Sequence, residues 1–202
     1  MMKLLLIAVL STCMLTACVG RQAKWSMVGG KQAVESEPLE VEWPQAWMKF
    51  TPAESDAKAK NEGLVLILTR DGMGLQAIVL KRRPIDQAFS NTKKKAAQGM
   101  LPEELAGLTL DDMRGNPNLT DLQVIENSPA TLDGTPAFKV VFRYRNKAGL
   151  PMQAVYYGCI EKGLLYTLIY DAPQRHYYEL DLPTFEAVKN SLKWKPQAGA
   201  SS

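Results

Sequence analysis

Phe138-Lys139-Val140-Val141-Phe142-Arg143-Tyr144-Arg145 is the stretch that decides the fold. Phe138, Val140, Phe142 and Tyr144 fall on one side of an extended chain, and Lys139, Val141, Arg143 and Arg145 fall on the other. This period-two alternation is that of an amphipathic strand. Lys147-Ala148-Gly149 turns it into a second apolar run, Met152 to Ile160, and Glu161-Lys162-Gly163 turns again into Leu164 to Tyr170. Upstream, Leu122 to Asn127 reads as one more strand. Strands joined by short polar turns make an antiparallel meander. A closing helix is expected from Pro183, with Phe185, Val188 and Leu192 on one stripe and Trp194 at its end.

The first half adds strands and helices. Leu39, Val41 and Trp43 alternate with Glu40 and Glu42 up to Pro44, and Trp47, Met48 and Phe50 follow as an apolar cluster. Thr51 to Glu62 is polar and turn-like. Leu64 to Thr69 and Leu75 to Leu80, joined through Asp71-Gly72, read as a central hairpin. Pro84 opens an expected helix carrying Ile85, Ala88 and Phe89, with Lys93-Lys94-Lys95 near its C-terminus. A second helix is expected from Pro102-Glu103-Glu104 and a third from Thr109, with Asp112 three residues on, stopped by Gly115-Asn116-Pro117. The class is α+β: an antiparallel sheet of about six or seven strands with helices packed on it. The expected organisation is one domain over 38–195, with a disordered tail at 196–202.

The amino end has the parts of an export signal: Lys3, an apolar run from Leu4 to Leu10, then Leu15-Thr16-Ala17-Cys18. The apolar stretch is shorter than the ~20 residues of a membrane-spanning helix. The tetrapeptide resembles the lipobox of bacterial lipoproteins. The resemblance implies cleavage after residue 17, a lipidated and acylated Cys18, and anchoring by acyl chains (palmitate among them) in a cell-envelope membrane. Val19 in place of aspartate implies the outer membrane, facing the periplasm, if the host is Gram-negative. Residues 18–37, broken by Gly20, Gly29 and Gly30, read as a flexible tether.

The chain has 202 residues and a formal net charge of +3, which falls to +2 when Lys3 leaves with residues 1–17. So small an imbalance gives no case for nucleic acid or an acidic substrate. With Cys13 in the signal and Cys18 lipidated, Cys159 is left alone and no internal disulfide can form.

The run Ala130-Thr131-Leu132-Asp133-Gly134-Thr135-Pro136-Ala137 leads into a long strand, and the next strand ends at Gly158. Leu164-Leu165-Tyr166-Thr167-Leu168 and the helix end Ser191-Leu192-Lys193-Trp194 follow. This succession resembles the PsbP-like/DcrB-like domains. The resemblance implies an antiparallel sheet sandwiched between helices and a non-enzymatic accessory role, docking on larger assemblies. No residue-level functional motif carries over.

Several residues could carry chemistry. Cys159, the lone His176 and Asp171 supply the parts of a thiol-hydrolase triad, although their spacing matches no thiol-enzyme signature and a small buried thiol is the plainer reading of Cys159. One histidine and one free cysteine fall short of a metal set, and no cofactor is expected. Asp111-Asp112 reads as helix-start charge. Two basic clusters, Lys81-Arg82-Arg83 and Lys93-Lys94-Lys95, could merge into one patch for anionic headgroups or an acidic partner, or remain separate solvated surfaces. Tyr177 and Tyr178 are candidate docking aromatics. The expected function is a membrane-anchored binding module for an envelope protein. The alternatives are a periplasmic carrier of a lipid or other apolar ligand, and then a hydrolase built on Cys159.

Overall fold

The computed structural model describes residues 22–35 and 37–196; the signal, Cys18 and residues 197–202 of the tail lie outside them. Nine strands and three helices follow in the order β1 (Lys24–Ala33), β2 (Leu39–Thr51), α1 (Ala57–Asn61), β3 (Leu64–Thr69), β4 (Ala77–Pro84), α2 (Pro102–Arg114), β5 (Thr120–Leu132), β6 (Thr135–Arg145), β7 (Pro151–Glu161), β8 (Leu164–Pro173), α3 (Tyr177–Ser191) and β9 (Lys193–Trp194). All nine strands join one sheet in the order β1-β2-β3-β4-β8-β7-β6-β5, with β9 paired to β2. Every pairing is antiparallel. The fold is the expected α+β class with more strands than expected.

Two meanders meet where β4 lies against β8, from Ala77 opposite Asp171 to Pro84 opposite Leu164. Two-residue turns with both central residues at positive φ close the second meander. They are Asp133 (46°) and Gly134 (80°) between β5 and β6, and Lys162 (49°) and Gly163 (76°) between β7 and β8. This geometry matches the right-handed twist of the strands it joins.

The alternation of β6 feeds two cores. Phe138, Val140, Phe142 and Tyr144 pack under α2 with Leu105, Ala106 and Met113. Ala137 and Val141 face the other way, where α3 lays Phe185, Val188 and Leu192 over Trp43, Tyr166, Leu168 and Tyr170. The sheet is thus sandwiched, α3 on one face and α2 on the other.

Several elements differ from the sequence expectations. The tether expected over 18–37 is a strand from Lys24 to Ala33, paired with β2. Gly29 and Gly30 sit where the register shifts between Val28 and Gly30, so they mark a bulge. Across that bulge β2 passes through Pro44 instead of ending there, with Ala46 at φ 60°. A missing N–H is harmless where the ladder is interrupted. Pro84 closes β4 instead of opening a helix, and residues 85–101 form an irregular segment. The second and third expected helices are one, α2. Its Thr109 hydroxyl donates to the carbonyl of Leu105 (2.8 Å) within the helix and caps nothing. Asp111 and Asp112 therefore lie in the last turn, where the dipole disfavours them, and other partners hold them. The closing helix starts at Tyr177, with Pro183 inside it. The Tyr170 hydroxyl steadies its first turn by donating to the carbonyls of Tyr177 (2.7 Å) and Tyr178 (3.1 Å).

Candidate binding cleft

Period two splits the first basic cluster. Arg82 points to the α3 side and pairs with Glu37 (3.1 Å), which also accepts from the Tyr166 hydroxyl (3.1 Å). Lys81 and Arg83 point to the α2 side, into a cleft of about 410 Å³ between β4, β8, β7 and the end of α2. Thr167, opposite Lys81 on β8, shares its floor with Leu165, Ile169 and Tyr156. Phe89, Asn91, Asp112, Met113 and the turn from Asn116 to Leu119 form its walls.

Asp112 holds the rim. Its Oδ1 accepts from the backbone N–H of Asn91 (2.7 Å) and of Thr92 (3.0 Å), and its carbonyl accepts from Asn91 Nδ2 (2.8 Å). Phe89, brought over the sheet by this segment, stacks on Arg83 with the guanidinium carbon 4.3 Å from the ring centre. Arg83 also donates to the carbonyl of Gln87 at 2.7 Å. Burial pulls its guanidinium below the usual arginine range, and Asp112 partly restores it.

Lys81 differs from every other cation described so far. It makes no hydrogen bond and no ion pair among the described residues. Burial pulls its ammonium below the usual lysine range; Glu62 acts against this from a distance and Arg83 adds to it. The hydroxyls of Thr167 and Tyr156 on the floor likewise have no hydrogen-bond partner among the described residues. Burial pushes the Tyr156 phenol well above its ordinary range, so it stays a neutral donor.

The lysine triplet stands apart from the cleft. Lys93 Nζ donates to the carbonyl of Ser90 (2.6 Å), Lys94 pairs with Asp111 (3.2 Å), and Lys95 is exposed. Lys93, Lys94 and Lys95 do not line the cleft that Lys81 and Arg83 enter, and Arg82 is turned to Glu37 on the other side of the sheet. The two candidate docking aromatics are placed differently. Tyr178 is in the core, stacked on Tyr170 with ring centres 5.7 Å apart, and Tyr177 is half-buried against that core.

The parts of the thiol triad are not assembled. Cys159 is fully buried on the α3 side of the sheet, where burial pushes its thiol up to about 12. Asp171 is on the opposite side, its Oδ2 accepting from the Tyr144 hydroxyl at 2.6 Å. Burial raises the Asp171 carboxyl to about 6, and its Oδ1 has no donor. Among the described residues no cluster of His, Cys, Asp and Glu is placed to hold a metal.

Lys81 and Arg83 were visible in the sequence as charges, and strand alternation was the signal that separates them from Arg82. Thr167, Tyr156 and the Asp112 clamp reach the cleft only through long-range pairing and carry no local signal.

No family model matches the sequence, and no curated protein matches it. Solved structures do share the fold. PsbP from the cyanobacterium Synechocystis sp. PCC 6803 aligns with a TM-score of 0.53 at 10% identity, over 86% of this chain and 92% of that one. LpqN, a Mycobacterium tuberculosis protein involved in cell envelope biogenesis, aligns with a TM-score of 0.53 at 15% identity, again over 86% and 92%. The architecture is therefore PsbP-like, and at these identities the likeness concerns the fold alone.

Proposed function

We propose that this chain is a non-enzymatic binding module of the cell envelope, held to the membrane through a lipidated Cys18. Its binding site is the cleft beneath α2. One observation carries the reading: a deep, mixed polar and apolar cleft whose floor has a cation and two hydroxyls without partners. Clefts of this size and lining are built to hold ligands. The lipobox supplies the anchor, and the shared fold of an envelope-biogenesis protein supports the compartment. At full extension the residues from Cys18 to Lys24 reach only about 20 Å, so the β1 edge of the sheet stays near the bilayer.

Two occupants suit such a module. An envelope protein could insert a side chain into the cleft, which is the docking reading. An amphiphile could seat its head there, which is the carrier reading. The depth of Lys81 favours the second.

Photo-crosslinking in intact cells tests the module. A crosslinker at exposed Asn118 on the cleft rim should capture an envelope component, and one at exposed Leu180 on α3 should capture none. Equal capture at both positions, or at neither, overturns the assignment of the site. For the anchor, native protein should partition into detergent and Cys18→Ala into water; a wild-type protein found in the aqueous phase refutes it.

A further inference from the structure

The floor of the cleft combines features that a purely structural surface does not need. Lys81 is half-buried in the cleft with no carboxylate in ion-pair contact, although a charge drawn this far from water is ordinarily paired. Arg83 lies beside it, held in place by Phe89 and the Gln87 carbonyl, with guanidinium donors to spare. The Thr167 and Tyr156 hydroxyls add two neutral donors. Two cations and two hydroxyls on one floor form a donor set for an oxyanion.

Apolar surface continues outward from that floor. Ile169 lines the cleft, and strand register carries its row across the same side of the sheet through Val79, Ile67 and Phe50 to Trp25. α2 packs over β5, β6 and β7 and leaves this row outside its cover. Val79, Ile67 and Phe50 are half-buried, and Trp25 at the edge is 47% exposed.

We infer that the cleft binds the anionic head of an amphiphile, a phosphate monoester or carboxylate on a short apolar body. The head meets Lys81, Arg83, Thr167 and Tyr156, and the body lies along Ile169, Val79 and Ile67. Glu62, the carboxylate that acts on Lys81 from the wall, opposes the anion and sets a limit on affinity. This inference rests on the cleft being the binding site and names its ligand class.

The test is isothermal titration of the full chain in a neutral maltoside detergent. Four probes are used: dihexanoyl phosphatidate, dihexanoyl phosphatidylcholine, inorganic phosphate and an Asp/Glu peptide. Phosphatidate should bind at least tenfold more tightly than any of the others. Lys81→Met should lower its affinity at least tenfold while raising the melting temperature, because it removes a half-buried charge without a partner; a residue with a structural role alone would not split these readouts. Glu62→Gln, which leaves the floor intact, should tighten phosphatidate several-fold and tests the site even if the Met variant folds poorly.

Equal affinity for inorganic phosphate overturns the apolar part of the site, and equal affinity for phosphatidylcholine overturns the anionic part. Preference for the acidic peptide replaces the amphiphile with a protein partner. If none of the probes binds while crosslinking at Asn118 still captures a component in cells, the ligand class is wrong and the binding module stands.

Discussion

On the α3 side of the sheet three buried phenols end on acceptors. Tyr157 donates to Glu186 (3.0 Å), Tyr166 to Glu37, and Tyr170 to two helix carbonyls. Among the described residues the Trp43 indole N–H is a buried polar atom without a partner there, and the largely buried Lys49 makes no hydrogen bond or ion pair. On the α2 side Lys81 has no counter-ion and Asp171 Oδ1 has no donor, and a cleft lies open between sheet and helix. The α3 face closes three of its phenols with its own groups; the floor of the α2-side cleft keeps a cation and hydroxyls that a ligand would complete. The contrast separates residues that hold the fold from residues available for function, and it can be tested from both sides.

The hardest break is on the α3 face. Phe185 is fully buried, stacked on Tyr170 at 5.5 Å and near Tyr157 at 5.9 Å. Phe185→Ala should cost about 3–5 kcal/mol, read as a lower urea midpoint at unchanged slope. A loss under about 1 kcal/mol would mean that α3 is not the clamp it is taken to be.

Asp171 offers the next largest effect, and its sign is opposite to the usual carboxylate. Its folded value of about 6 stands above the ordinary 3.8, so the native state holds this proton more tightly than the unfolded chain. Its stabilising contribution is complete below pH 3.8 and is lost as pH rises through about 6. The change is worth at most about 3 kcal/mol. Glu40, Asp71, Glu126 and Asp133 are held below their ordinary values by partners, so they act in the other direction and at more acid pH. Urea unfolding at pH 5 and pH 7.5 should show wild type losing stability over that interval relative to Asp171→Asn. Parallel curves would place the carboxyl in water.

The same contrast explains how much could be read from the chain. The meander was legible because β6 alternates strictly and its turns are short and polar, so pattern and register agree. β1 was hidden because Met27 and Trp25 face outward, Val28 alone is buried in its centre, and two glycines interrupt the alternation. Pro84 was ambiguous in principle: the fixed φ that starts a helix also suits the end of a strand. The helical spacing of Ile85, Ala88 and Phe89 reflects a segment tucked over the sheet without helical bonds. Half of the cleft was legible as charge. The rest depends on β8 and β7 coming to lie beside β4, a pairing distant in sequence.

Gly158 shows how closely the α2 side is packed where it is covered. A Cβ there would run into the Phe138 ring on the neighbouring strand. Gly158→Ala should therefore cost about 1–3 kcal/mol by displacing that ring. The cleft begins one strand away, at Thr167 opposite Gly158, so the displacement should also weaken amphiphile binding modestly. Stability lost with binding intact would confine the role of Phe138 to the core.

The smallest expected effect separates the rim of the cleft from its floor. Asp112 joins α2 to the 85–101 segment by bonds to the Asn91 and Thr92 N–H groups, and no other element holds those two amides. Asp112→Ala should cost about 1 kcal/mol globally, since the freed amides are near the surface and water can take them. Locally the effect should be larger: amide exchange at Asn91 and Thr92 should rise well beyond that of β6 and β7, which stay at the global limit. Phe89 would lose its support and with it the stacking on Arg83, so the anion site should weaken while Lys81 keeps its place on β4. If the two amides remain protected, the segment is held by its own turn bonds, from Phe89 N–H to the Lys94 carbonyl and from Lys93 N–H to the Phe89 carbonyl. The cleft would then be as rigid as the face that α3 closes.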